Sequence, residues 1–211
     1  MSSPIPMPTP FETAWLAACA DCTNCGLATQ RQRVVISRGD PAARVMVIGE
    51  APGASEDEQG LPFVGRSGRV LDGLFISAGL DPDTELFITN VVKCRPPENR
   101  KPTAAELRAC RPWIQKQIEV VDPPLVVLVG ATAVKAMLGL KQAMGSLRGA
   151  WIEQDGRSWM PVFHPSYLLR NPSRDPGKPV SLTLEDLRQV RDRLCQCEPA
   201  SGAPTPSPPP L

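Results

Sequence analysis

The sequence predicts a three-layer α/β/α domain built on a four-stranded, largely parallel central sheet. Three observations carry that prediction. The runs Val45–Ile48, Leu86–Val92 and Leu125–Val129 are apolar at mostly successive positions rather than alternate ones, the pattern of strands buried on both faces. Helical periodicities lie between the runs, as parallel crossovers require. Each of the first two runs opens into a segment rich in polar groups, and open α/β sheets place their ligands at that carboxyl edge.

Residues 1–10 are Pro-rich and are expected to be disordered, while Phe11, Trp15, Leu16 and Cys19 recur at helical spacing over Phe11–Ala20. Gly49 bounds the first strand, and the loop after it carries Glu50, Ala51, the path-fixing Pro52 and Gly53, then Glu56 and Asp57. Val70, Leu71, Leu74, Phe75 and Ala78 trace an amphipathic helix stopped by Gly79. Ser67 is its expected N-cap, and such a helix start is a ready anion site. The second strand runs into Asn90, Lys93 and Cys94. Thr103-x-x-Glu106 is a capping box that predicts a helix from about Ala104 to Val120 with Cys110 inside it. After the third strand come a helix over Ala131–Leu138 and a fourth strand over Met160–Phe163, with His164 just past its end. A last helix spans Ser181–Leu194, and 198–211 form a Pro-rich tail expected to be disordered. Residues 11–197 thus make one domain, long enough for a three-layer core.

Lys and Arg total 23 against 22 Asp and Glu, a formal charge of +1, so no global field recruits a polyanion and any nucleic-acid contact must be local. No apolar run approaches the roughly 20 residues of a membrane span. The amino terminus MSSPIPMPTP lacks the basic and apolar regions of a signal peptide, so the expected location is cytoplasmic, with no membrane contact. In that compartment the seven cysteines argue for metal or cluster ligation before disulfides. Cys22-x-x-Cys25, Cys94 and Cys110 are four thiols on two distant segments that suit one closed site. A tetrahedral zinc would accept them, and so would a [4Fe–4S] cluster. The long Pro-rich gap between Cys94 and Cys110 is unlike the tight second knuckle of a zinc ribbon and favours the cluster. Cys19 is a further candidate that also fits the apolar stripe of its helix, and Cys195 and Cys197 read as free thiols.

With these residues collected, the chain resembles the family 4 uracil-DNA glycosylases, the iron–sulfur branch of the uracil-DNA glycosylase superfamily. The resemblance runs from about Cys22 to Leu194. It rests on Gly49-Glu50-Ala51-Pro52-Gly53, Leu61-Pro62-Phe63-Val64-Gly65, Ile88-Thr89-Asn90, Lys93-Cys94-Arg95-Pro96-Pro97 and His164-Pro165-Ser166, in the family's order. It implies a [4Fe–4S] cluster on Cys22, Cys25, Cys94 and Cys110, remote from the bond being cut. It also implies a uracil-DNA glycosylase-like fold that flips uracil out of DNA and hydrolyses its N-glycosidic bond, leaving an abasic site for base excision repair. Phe63 would then stack on the base, Asn90 would bond its Watson–Crick edge, and the backbone of Glu50 and Ala51, with Pro52, would line the pocket. His164 would donate to the developing oxyanion. Ser67, Ser166 and Arg170 would hold phosphates, with Arg95, Arg100, Lys101 and Arg174 as further candidates. Leu168 would fill the gap left by the flipped base.

The best-known branch of the superfamily carries an Asp directly before the Pro of the first motif, where this chain has Ala51. The carboxylate that orients water is then Glu50, or Glu56 or Asp57 reaching back. Gly53 stands where that branch has the aromatic that blocks the thymine methyl, which leaves the exclusion of thymine open. A covalent uracil-capturing relative needs a second, loop histidine, and His164 is the only histidine here. A non-catalytic iron–sulfur or zinc module that binds nucleic acid would explain the cysteines but not the polar residues at three strand ends. The expected partner is uracil-containing DNA, single- or double-stranded, bound by a monomer; any replication or clamp partner of the tails is open.

Overall fold

A computed structural model describes residues 10–197. The expectations for the tail at 198–211, and for the Pro-rich start before Pro10, lie outside the described residues. The strands are β1 (Arg38–Gly39), β2 (Val45–Gly49), β3 (Leu86–Asn90), β4 (Leu125–Val129), β5 (Ile152–Gln154) and β6 (Arg157–Val162). The helices are α1 (Pro10–Ala20), α2 (Ala54–Gln59), α3 (Arg66–Ala78), α4 (Ala104–Val121), α5 (Ala131–Leu138), α6 (Met144–Leu147), α7 (Pro165–Arg170) and α8 (Pro179–Cys197).

The four strands read from the sequence are the parallel centre of the sheet, but the sheet has six strands, in the order β1-β3-β2-β4-β6-β5. The two additions are short antiparallel edges. β1 has two residues, too few to show a period. β5 and β6 form a hairpin through Asp155-Gly156, both at positive φ, the geometry of a type I′ turn.

Burial on both faces explains the continuous apolar runs. Val45, Val47, Leu125, Val127 and Val129 join one core cluster with Leu71, Phe75, Leu187 and Val190 of α3 and α8. Met46, Ile48, Val126 and Leu128 join the other with Cys110, Ile114, Ala133 and Val134 of α4 and α5. The period-2 alternation of the strand thus sorts neighbouring residues into two layers. Among the described residues no helix is long and apolar enough to cross a membrane.

From β2 the chain moves outward to β3, then crosses back past β2 to β4. That reversal opens a crevice at the carboxyl edge, beside the ends of β2, β3 and β6. Two features of the crevice differ from the sequence reading. The acidic loop contains the short helix α2, whose N-cap is Gly53. The N-cap of α3 is Gly65 rather than Ser67. Its first turn lies so close against Phe63 that a Cβ on Gly68 would sit 1.8 Å from the Phe63 carbonyl oxygen, so α3 starts sooner than its apolar stripe suggests.

α4 opens on the predicted capping box. Thr103 Oγ1 accepts from the Glu106 N–H at 3.2 Å, and Glu106 accepts from the Thr103 N–H at 2.7 Å. Arg100 donates to both oxygens of the same carboxylate, at 2.8 and 2.6 Å, which corrects its candidacy for a phosphate. This pairing, with the cap bonds, holds the Glu106 carboxyl at about 2, below its ordinary 4.5. Thr103→Ala is expected to cost about 1 kcal/mol in urea unfolding. The contribution of Glu106 is present above pH 4.5 and is lost as pH falls through about 2, so acid titration of the Glu106→Gln variant should lack that step.

Candidate active site

A cavity of about 340 Å³ opens at the crevice, lined by Glu50, Ala51, Pro52, Phe63, Asn90 and His164 together with Glu56, Ser67 and Ser166. Three strand ends supply it: β2 leads into Glu50, β3 ends on Asn90, and β6 leads into His164. Gly53 and, from the segment after Cys94, Pro96, Asn99 and Arg100 complete its wall. The sequence reading used that Pro-rich segment for cysteine spacing and for candidate phosphate contacts of Arg95 and Arg100, and missed it as a wall.

Phe63 holds a left-handed backbone conformation, φ 55°, which is rare for a bulky residue and clusters at functional sites. Its ring closes over Gly49, where a Cβ would lie 2.4 Å from both Phe63 Cζ and Asn90 Oδ1. Only glycine fits there, and its absent side chain lets the ring and the amide share one floor. Asn90 is 2% exposed, and its Oδ1 is buried with no hydrogen-bond partner. A buried orphan acceptor costs about 1–3 kcal/mol, which a ligand N–H in the cavity would return.

His164 is the N-cap of α7. Its Nδ1 accepts from the Ser166 main-chain N–H at 3.2 Å and lies 2.8 Å from Ser166 Oγ. A main-chain N–H can only donate, so Nδ1 carries the lone pair and the neutral ring bears its proton on Nε2. Burial lowers the imidazole pKa from its ordinary 6.5, opposed by the charge of nearby Glu50 and assisted by that of Arg170. The ring is therefore a neutral donor near pH 7.

The carboxylates separate by their partners. Glu56 Oε2 accepts from the Gly53 N–H at 3.1 Å and Oε1 from the Gly65 N–H at 2.7 Å, so it braces two corners of the loop. Asp57 is buried and accepts from the Gln32 and Arg33 N–H groups at 3.0 and 3.3 Å. Glu50 and Glu56 both line the cavity, and of the two Glu56 is the one tied into the loop by main-chain N–H groups. Leu168 needs a correction: it is 1% exposed and packs in the core between α3 and α8. On the same turn Tyr167 is 38% exposed and touches Phe163, and Arg170 is also exposed.

Cys22, Cys25, Cys94 and Cys110 line a second cavity with Arg31, Lys93 and Trp113. Three N–H groups point at sulfurs: Trp113 Nε1 to Cys22 at 3.2 Å, the Lys93 N–H to Cys110 at 3.2 Å, and Arg31 Nη1 to Cys94 at 3.4 Å. Burial pushes the Cys94 thiol up, and the Cys110 thiol to about 11. Cys19 is fully buried and does not line this cavity; burial raises it to about 12. Cys195 is an exposed free thiol, and the Cys197 side chain lies outside the described residues. Among the described residues, no group of three or more His, Cys, Asp or Glu side chains is arranged around a single metal ion.

A doubly wound sheet whose carboxyl edge gathers the Gly-Glu-Ala-Pro-Gly loop, an asparagine and a His-Pro-Ser turn around one cavity is the plan of a base-excising enzyme, and comparison agrees. The family model of the uracil DNA glycosylase superfamily matches residues 36–188, and the chain belongs to that superfamily. A type-4 uracil-DNA glycosylase of Thermotoga maritima is 41% identical over 172 residues, covering 81% of this chain and 88% of that protein. One from Saccharolobus solfataricus is 36% identical, covering 82% of each. A type-5 uracil-DNA glycosylase of Pyrobaculum aerophilum is 34% identical, covering 74% of this chain and 72% of that protein. Within the superfamily the chain is of the type-4 branch.

Proposed function

We propose that this protein is a uracil-DNA glycosylase of base excision repair, in which the domain over 11–197 acts as a monomer on uracil flipped out of DNA. The observation that carries the reading is the orphan Asn90 Oδ1 in a cavity shared with the Phe63 ring and His164. Uracil presents an N3–H donor to such an acceptor, where cytosine presents a lone pair. The extruded base stacks on Phe63, Asn90 reads its edge, and Pro52 and Ala51 close the side. As the glycosidic bond breaks, negative charge grows on the uracil oxygen and meets the Nε2–H of His164. Glu50 orients the water that attacks the sugar, whose charge is oxocarbenium-like. Ser67, Ser166 and Arg170 bind flanking phosphates. Incubation with a uracil-containing oligonucleotide and then alkali should cleave the strand at uracil only. Protein with its full metal content that leaves the strand intact would refute the reading.

The cofactor we propose is a [4Fe–4S] cluster on Cys22, Cys25, Cys94 and Cys110. Four thiols around one cavity fit its ligand set, and the three N–H groups aimed at their sulfurs are the contacts that tune and hold such clusters. When bound, the cluster supplies a covalent tie between the Cys22–Cys25 segment, the end of β3 and α4. The glycosidic bond is broken without it, by the residues of the other cavity.

Exposure transfers the gap-filling role from Leu168 to Tyr167. Tyr167→Ala should slow excision from duplex DNA more than from single strands, because only a duplex leaves a stacked gap to fill. Leu168→Ala should instead cost about 2–5 kcal/mol of stability and affect both substrates alike. Equal losses on both substrates for Tyr167→Ala would reject the transfer.

A further inference from the structure

Lys93 contributes to the frameworks of both cavities, and neither the ligand set nor the excision chemistry uses its side chain. It is 1% exposed. Its Nζ donates to Thr89 Oγ1 at 2.7 Å, to the Asn90 carbonyl at 2.6 Å and to Gln117 Oε1. Gln117 Nε2 donates to the Ile36 carbonyl at 3.0 Å, and Thr89 Oγ1 donates to the same oxygen at 2.7 Å. The ammonium thus fills all three of its donor positions, and none of the three acceptors is a carboxylate. Its own main-chain N–H points at Cys110 Sγ, and Cys94 is its neighbour in the chain.

A buried ammonium with only neutral acceptors is costly, and paired negative charge nearby relieves the cost. The three hydrogen bonds of Nζ offset part of that cost, and the main chain of the same residue is held at Cys110. We infer that Lys93 is a positioning residue that couples the cysteine site to uracil reading: its main-chain N–H is held at Cys110, and its side chain fixes Asn90 by the main-chain carbonyl. The inference rests on the glycosylase and cluster readings. It extends them by giving a cofactor remote from the broken bond a defined route to the base pocket. The route consists of one side chain. Asn90 has no side-chain oxygen contact of its own to keep the amide in place, so its orientation depends on how firmly the end of β3 is held.

The test is Lys93→Met, of similar length and without the donors. It is read by iron content, visible absorbance, single-turnover excision, and inhibition by free uracil compared with inhibition by abasic-site DNA. Iron should be retained, excision should slow by about 10-fold or more, and free uracil should inhibit correspondingly less while abasic DNA binds as before. A merely structural lysine would weaken both inhibitors together or neither, and either result overturns the inference. Where Lys93→Met does not accumulate as folded protein, Thr89→Val removes one of the three acceptors at nearly constant shape. It should show the same split in smaller measure, and unchanged inhibition by uracil overturns the inference. Wild-type protein without iron, or without excision, would instead refute the readings beneath it.

Discussion

His164→Ala is expected to lower the single-turnover rate of uracil release by about 100-fold or more, the usual loss for one oxyanion donor. The effect is differential: the uracil oxygen gains charge only as the bond breaks, so a donor aimed at it stabilises the transition state more than the bound substrate. Binding to uracil-containing DNA should change far less. Because burial lowers the pKa of the ring from 6.5, the donor is neutral, and the wild-type rate should stay level as pH rises through 6.5. A His164-dependent rate that fell over that interval would make the donor an imidazolium instead. The same shift has a stability consequence of fixed sign. The unfolded chain binds the proton more readily than the folded one, so the contribution of His164 is present above 6.5 and declines as pH falls below it.

Cys110→Ala should produce the second large effect, on stability. The thiol sits at 7% exposure among Val92, Cys94 and Ile114, and with the proposed cluster in place its loss would release the tie between α4 and the Cys22–Cys25 segment. The melting temperature should drop by about 10 °C or more, since roughly 1 kcal/mol corresponds to about 2–4 °C in a domain of this size. The brown colour and iron should be lost with it. Cys195→Ala should leave both unchanged, because that thiol is exposed. Stoichiometric zinc with no iron in the wild-type protein would reject the cluster.

The central strands were legible because burial on both faces leaves no polar position to interrupt them, as Val45–Ile48 and Leu125–Val129 illustrate. The edges were not. Asp155-Gly156 is a strong hairpin signal, but it stands between polar residues that give no apolar alternation, so β5 and the start of β6 went unseen. In the site, Glu50, Phe63, Asn90 and His164 were legible from their motifs, and the structure brings them to one cavity. What sequence could not give was partnership. Glu56 is occupied by the N–H of Gly65, nine positions away, a contact created only by the packing of α2 against the start of α3. Leu168 and Tyr167 are adjacent, and successive residues of a helix point about 100° apart. Which of them faces the core follows from how α7 lies on α3, and no local pattern in six residues fixes that.

The bridge made by Glu56 also bears on the question left open by Gly53. One carboxylate ties the corner beside Pro52 to the corner that follows Phe63, so an aperture admitting a base there would be set by the length of a single side chain. Such a gauge would act on girth, independently of the hydrogen bonding proposed for Asn90. A methyl group pressed against a wall of this kind is worth about 1–3 kcal/mol of discrimination. Selectivity against thymine would then reside in the stiffness of a frame, not in a blocking ring.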